Sequence, residues 1–320
     1  MTAYLCGNPK TDEFPMYRIV PREQIDTRAW NRCVDAAPNA SIFGHSDFLD
    51  FATVRWKGLV RGNYEAVFPL AESSKFGIPY LYRPPGLARV DVFSPTLTAA
   101  EEMKFVLEMI QRRYLFADIV VAGDVPPAVT PTKTQTAPVL SQYLTIETDD
   151  FQTLFEEKFS GSCRRNIARK ASDKPLEVVR DILPQRFLNF ATTSVAARKI
   201  PKFDRQIPAM EKFVAGALKT GLGSLWGAGL GDEILSIALI TYYRDTAYLN
   251  FIFAGEEGQK QNANYFLVSE IIRAHFPAIR GFDFCGSNIP SIGIFNRRFG
   301  AEDVGHTSVR TGVLKSLLKV

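Results

Sequence analysis

The stretch from Tyr248 to Gly300 constrains this chain most, because it forces two strands to lie parallel across a helix. Tyr248-Leu-Asn-Phe-Ile-Phe253 is an alternating apolar and aromatic run suited to a strand, and Ala254-Gly-Glu-Glu-Gly258 reads as a turn. From Asn262 the residues Ala263, Phe266, Leu267, Ile271 and Ala274 recur at helical spacing until Pro277 and Gly281. Gly281-Phe-Asp-Phe-Cys285 predicts a second strand, followed by a short helix with Asn288 as N-cap, Pro290 in its first turn and Gly300 as its stop. A helical crossover of this length joins parallel neighbours, right-handedly. The turn before the long helix points free N–H groups and the positive end of the dipole outward, a place for an anion such as a phosphate.

At 320 residues the chain can bury a large core, and its length predicts about two domains. Its 46% hydrophobic and 22% charged residues describe a globular protein rather than a disordered one. Cys6, Cys33, Cys163 and Cys285 are scattered with no CxxC pair, so neither a zinc site nor a disulfide framework is indicated. His45, His275 and His306 show no metal-ligand spacing and read as surface or packing residues; no metal is expected. No apolar run spans a bilayer and the N-terminus lacks a signal-peptide layout, so a cytoplasmic chain without membrane insertion is expected. Net charge is −3 over residues 1–150 and +7 over the remainder, which draws anionic partners to the second half unless that face is merely solvated.

Earlier in the chain, Tyr17-Arg-Ile-Val20 predicts a strand, Arg22 to Ala37 a helix, and Asp47 to Val54 a further helical turn or two. Trp56 to Val60, Tyr64 to Leu70 and Ile78 to Tyr82 predict an antiparallel meander with separators at Gly62-Asn63 and Ser73 to Gly77. Glu101 to Tyr114 reads as an amphipathic helix, Ala117 to Val121 as a buried strand, and the Pro- and Thr-rich stretch Pro126 to Pro138 as a loop. Helices at Phe151–Phe159, Gly161–Ala171, Phe187–Val195 and Pro208–Leu218, a strand at Leu176–Val179, and a hairpin around Gly231-Asp232 then lead into the C-terminal unit. The two halves share one plan without a residue-level repeat.

Several segments carry a resemblance: Tyr64 to Leu70 with Tyr80-Leu-Tyr-Arg-Pro-Pro85, the basic Cys163-Arg-Arg-Asn-Ile-Ala-Arg-Lys170, and Phe282-Asp-Phe-Cys-Gly-Ser287 followed by Ile294-Phe-Asn-Arg-Arg-Phe-Gly300. In this order they resemble the FemABX-like family, whose members join two GNAT-like domains and transfer aminoacyl or other acyl groups to amines. The resemblance implies an α+β fold of two tandem GNAT-like domains, each a mixed sheet flanked by helices. Residues 1–150 would form the acceptor side of the cleft and 151–320 the acyl-donor side. It implies an N-acyltransferase with an acyl-CoA or aminoacyl-tRNA donor and a small-molecule or peptide-like amine acceptor, such as a cell-wall or polysaccharide precursor. DNA is not an expected partner. The chain departs from the family pattern at Asn296, where a lysine commonly follows the phenylalanine. It departs again at Gly258-Gln-Lys-Gln-Asn-Ala263, where a glycine pair commonly precedes the pyrophosphate-binding helix, and it has no counterpart of the coiled-coil arm. A different-class alternative is therefore a catalytically degenerate GNAT-like module that binds a nucleotide sugar or peptide.

Acyl transfer to an amine needs a proton acceptor, a stabilised oxyanion and contact between the partners. Strand alternation places Tyr248, Asn250 and Ile252 on one side, so Tyr248 and Asn250 are catalytic candidates, unless Tyr248 only packs in the sheet. Asp283 is a candidate base inside an aromatic strand, with an ion pair or a cap to the following turn as the structural alternative. Asn296 is the fourth catalytic candidate. Arg164, Arg165 and Arg169 on one helix, Tyr82 and Arg83 at a first-half strand end, and Ser287, Asn288 and Phe295 near the last strand are substrate-binding candidates. Gly258, Gln259, Lys260, Gln261, Asn262 and Ala263 are the candidates for holding an acyl-CoA donor.

Overall fold

The computed structural model describes residues 17–96, 98–168, 175–286 and 289–312. The first half contributes β1 (Tyr17–Pro21), α1 (Thr27–Ala36), α2 (Ser46–Ala52), β2 (Arg55–Arg61), β3 (Ala66–Lys75), β4 (Ile78–Leu81), α3 (Ala99–Arg113), β5 (Ala117–Ala122) and β6 (Thr134–Thr145). The second contributes α4 (Phe151–Glu157), α5 (Gly161–Ala168), β7 (Glu177–Val179), α6 (Pro184–Thr193), α7 (Val195–Lys199), α8 (Ile207–Lys219), β8 (Gly223–Leu230), β9 (Glu233–Tyr243), β10 (Thr246–Ala254), α9 (Glu256–Lys260), α10 (Ala263–Ala274), β11 (Gly281–Asp283), α11 (Pro290–Arg297) and β12 (Glu302–Thr311). All described strands join one mixed sheet in the order β1-β2-β3-β4-β5-β12-β6-β11-β10-β9-β8-β7. The halves interlock: β12 inserts between β5 and β6, antiparallel to both, and β6 lies antiparallel to β11.

Local chemistry explains most boundaries. Asp26 caps α1 by accepting from the Arg28 and Ala29 N–H groups, both at 3.0 Å, and the helix buries Trp30, Cys33 and Val34 before Pro38 forces extended backbone at Ala37. Trp30 packs on Trp56 of β2 with ring centroids 5.0 Å apart. Between β3 and β4 only Phe76 and Gly77 turn, both at positive φ, because the ladder runs on to the Lys75–Ile78 pair. Two expectations are corrected here. The Pro126–Pro138 stretch is not all loop, since β6 begins at Thr134. Pro138 is tolerated because β6 pairs there only with β12, and its pairing with β11 is confined to Tyr143, Leu144 and Thr145. The turn at Ala254–Gly258 is largely the short helix α9, started by extended Gly255 and favoured by Glu256 and Glu257 in its first turn.

The larger core runs through both halves. Phe48 and Phe51 of α2 meet Phe213 of α8 edge-on at 5.5 and 5.0 Å, and Phe213 meets Phe251 of β10 at 5.3 Å. Gly216 of α8 is the close-approach point, because a Cβ there would lie 2.1 Å from the Phe51 Cβ. A second core lies beneath α4, α5, α10 and α11, around Phe159, Phe282, Phe284 and Phe299. No described helix is long and apolar enough to cross a membrane.

Candidate active site

β10 and β11 are parallel as the sequence predicts, but they pair only from Thr246–Gly281 to Tyr248–Asp283. β11 ends at Asp283 while β10 continues to Ala254, so the strands part and leave a notch. A β-bulge sits at the same point, where pairing with β9 skips from Leu249 to Phe251 and leaves Asn250 unpaired. The bulge overturns the expected alternation. Tyr248, Phe251 and Phe253 pack into the core shared by the halves, whereas Leu249 and Ile252 pack into the other. Asn250 stays on the Tyr248 face, accepting from the Thr241 hydroxyl at 2.8 Å and approaching the Gly86 carbonyl at 3.5 Å.

The first-half segment that follows β4 closes the end of this notch. Val90 bridges to Val121 of β5, through hydrogen bonds from the Val90 N–H to Val120 and from the Ala122 N–H to Val90, which holds the segment extended. Arg89 then reaches Asp283, with Nη2 2.7 Å from Oδ2, while Asp283 Oδ1 accepts from the Cys285 N–H at 2.7 Å. The Asp283 side chain is 1% exposed and that of Arg89 16%. Burial disfavours the Arg89 charge, but the Asp283 carboxylate more than offsets it. Arg89 also lies over the Phe43 ring at 4.8 Å, and Phe43 meets the Tyr248 ring edge-on at 5.3 Å. Burial, reinforced by the Asp283 charge, pushes the Tyr248 hydroxyl far above its ordinary range, so it stays protonated and acts as a donor or acceptor rather than as a phenolate. Burial likewise raises the Cys285 thiol well above its usual value, which leaves it a poor nucleophile.

Arg89 and Phe43 are also walls of a cavity of about 240 Å³, shared with Asn39, Ser41, Asp91, Gly123 and His306. Asp91 is buried and accepts only neutral donors, the Asn39 amide at 2.6 Å and the Val92 N–H at 2.8 Å. Burial raises its carboxyl to about 6, opposed by those hydrogen bonds and by Arg89. His306 is 4% exposed, and burial followed by the Arg89 charge lowers it to about 4, so it is neutral. Its Nδ1 accepts from the Gly123 N–H at 3.3 Å, which leaves Nε2 to donate to the Ser141 hydroxyl at 2.7 Å. A larger cavity of about 640 Å³ lies on the first half, but its cations Arg22, Arg55 and Lys57 are already paired with Asp50 and Glu72. None of its lining residues comes from β10, β11 or the segment after β4.

The other sequence candidates are dispersed. Asn296 is 2% exposed, its amide donating to the Gln142 side chain at 2.8 Å, because α11 turns that position inward under β6. It does not face the notch. Phe295 packs on Tyr265 and Phe299. The Tyr82 hydroxyl accepts from the Val54 N–H, and exposed Arg83 pairs with Asp118. The Arg164 guanidinium bonds the Glu156 carbonyl and Arg165 is exposed. Arg169, Ser287 and Asn288 lie outside the described residues. His306, read from sequence as surface or packing, instead lines the cavity. Arg89 and Asp91 were not singled out from sequence, although two charges in the apolar, proline-led run Pro84 to Phe93 were a usable signal.

In the segment from Gly258 to Ala263 part of the backbone donor set is already used. The Gln259, Gln261 and Asn262 N–H groups already bond to Gly255, Glu257 and Gln259, and those of Tyr265 and Phe266 to Asn262. Lys260 and Gln261 both turn their side chains to Glu257, while Glu256 pairs with Arg198. Gly258 is required for packing, because a Cβ there would lie 2.0 Å from the Leu235 carbonyl oxygen of β9. Gly258→Ala is expected to cost about 1–3 kcal/mol in urea denaturation, since backbone must move to admit it. An unchanged midpoint would show that α9 is free to shift.

The structure of FemX superposes on 88% of this chain and 96% of its own, with a TM-score of 0.60 at 11% identity. A conserved protein of unknown function from Bacteroides thetaiotaomicron VPI-5482 gives 92%, 99%, 0.58 and 10%. A tandem GNAT protein from the clavulanic acid biosynthesis pathway gives 92%, 98%, 0.57 and 12%. No family model matches the sequence, and no curated protein matches it. The likeness establishes the fold: a tandem GNAT-like, FemX-like α+β architecture.

Proposed function

We propose that this chain is a transferase that moves an acyl or aminoacyl group from an activated ester onto an amine, with the reacting carbon held at the β10–β11 notch. The observation that carries this reading is the coincidence of parted strands, the bulge at Asn250 and a titratable cavity at one junction of a tandem GNAT-like fold. Beyond Tyr248, the β10 edge has no β11 partner among the described residues, so backbone N–H groups there are available to a developing oxyanion. In the reaction the amine nitrogen forms a bond to the acyl carbon while the bond from that carbon to the donor oxygen breaks. The proton leaving nitrogen ends on the departing oxygen. The first half supplies the acceptor cavity through Arg89 and Asp91, and the second half the donor notch.

We take an aminoacyl ester such as aminoacyl-tRNA as the donor, because Glu257 and the bonded amides leave few groups at the α9–α10 corner for the phosphates of CoA, and an acceptor on a cell-envelope precursor is consistent with the family resemblance. Two measurements test this. Thermal-shift titration with acetyl-CoA, longer acyl-CoAs and free CoA is expected to give no saturable rise. Incubation with labelled aminoacyl-tRNA and amine acceptors is expected to move label to the amine. Asn250→Ala should lower that transfer about tenfold or more by relaxing the bulge, with acceptor binding unchanged. Binding of donor and acceptor with no transfer would instead favour the degenerate binding module.

A further inference from the structure

The cavity beside the notch carries two unmet needs of opposite sign. Among the ionised groups of its wall, Arg89 is matched by Asp283, whereas Asp91 is bonded only to neutral donors. His306 is neutral, so among the described residues of the wall Arg89 is the one cation, and it is bonded to Asp283. A cation is the group that answers Asp91. At the same time Arg89 Nη1 is buried with no hydrogen-bond partner, although a guanidinium has five donors and only its Nη2 bond to Asp283 is strong and direct. Arg89 is also a wall of the cavity and its side chain is 16% exposed, so an anionic group there can share the guanidinium with Asp283.

Arg89 and Asp91 are two positions apart on an extended segment, which the hydrogen bonds of Val90 to Val120 and Ala122 hold against β5. Side chains at such positions leave one face about 7 Å apart. Both side chains line the same cavity from that face. We propose that the cavity lined by Asn39, Phe43, Arg89, Asp91 and His306 binds an α-amino acid or the zwitterionic end of one, its carboxylate on Arg89 and its ammonium on Asp91. This inference rests on the transferase reading above and names its acceptor class. A simple amine would bring no anion to the cavity face of Arg89, and a simple acid would meet Asp91 with like charge.

Binding is scored without turnover, so the inference and the transferase reading fail separately. Calorimetric titration of the full chain at neutral pH would use a panel of L-amino acids, each against its decarboxylated amine and its deaminated acid: L-alanine against ethylamine and propionate, L-lysine against cadaverine. At least one L-amino acid is expected to bind about tenfold or more tightly than both counterparts. Asp91→Asn keeps the acceptor for Asn39 and removes the charge, and should bring the amino acid down to the level of the acid. Arg89→Lys keeps a cation beside Asp283 but loses the fork, and should bring it down to the level of the amine. Equal binding of amine and amino acid, no saturable signal from any amino acid at tens of millimolar, or an Asp91→Asn variant that binds as well as the parent would each overturn the assignment. Transfer to amines lacking a carboxylate would leave the transferase reading standing and sink this one.

Discussion

Replacing Arg89 by methionine is expected to destabilise the chain by about 3–5 kcal/mol, the cost of stranding a buried carboxylate. Asp283 is almost wholly enclosed and would keep only the Cys285 N–H as a donor. Removing the charge as well, in Arg89→Met with Asp283→Asn, should recover a large part of the loss, since the remaining amide oxygen still accepts from Cys285. The pair is therefore expected to show strong coupling in a double-mutant cycle read by urea denaturation. Arg89 belongs to the first half and Asp283 to the second, and the core between α2, α8 and β10 is continuous. Both halves should consequently unfold together at the lower midpoint. A single-variant cost below about 1 kcal/mol would mean that the pair is hydrated and of the surface kind, and would remove the basis for a closed site beside the notch.

The fold was legible where periodicity and local stops agree. The parallel β10–β11 unit, the hairpin at Gly231-Asp232 and the helix beginning at Ala263 follow from alternation, glycine placement and helical spacing. Interlocking of β6 and β12 was not, because strand order across halves depends on long-range pairing that neither segment encodes locally. Pro138 even argues against a strand, and is accommodated only because one side of β6 is open there. The placement of the candidates was partly legible. Tyr248 pairs in register with Asp283 and Asn250 sits at the bulge two residues on, but the bulge moved Ile252 to the other face, a shift that a strict period of two cannot announce. Asn296 stood out by departing from a family pattern, and the structure buries it with its amide on Gln142, an inward position that the pattern alone could not announce. Arg89 and Asp91 were the harder pair to find. Their significance comes from burial and from Asp283, which is nearly two hundred positions away in sequence.

Two groups on the cavity wall should titrate against each other. Asp91 has a folded value of about 6, against an ordinary carboxyl value of 3.8. Between those values the folded chain holds more protons than the unfolded one, so this group removes stability as pH rises through that window, by about 3 kcal/mol at 1.36 kcal/mol per unit. His306 has a folded value of about 4, against an ordinary 6.5. Here the unfolded chain binds more protons, so stability is fully present above about 6.5 and falls by a similar amount, about 3 kcal/mol, as pH drops to about 4. The two contributions nearly cancel between pH 4 and 6. Asp91→Asn should expose the histidine, giving a chain more stable than the parent by about 2–3 kcal/mol at pH 7.5, close to it at pH 4, and rising in stability between. His306→Gln should expose the carboxylate and reverse the slope. Urea denaturation across this range would read both, and an Asp91→Asn variant no more stable at pH 7.5 than the parent would show that Asp91 is solvated and carries no cost. With the cost present, Asp91 is a group whose ionised form weakens the fold at neutral pH and becomes favourable only when a cation neutralises it. The same carboxylate that lowers stability in the empty cavity would then supply the affinity for the ammonium of the acceptor, which is why the variant that gains stability is the one expected to lose binding.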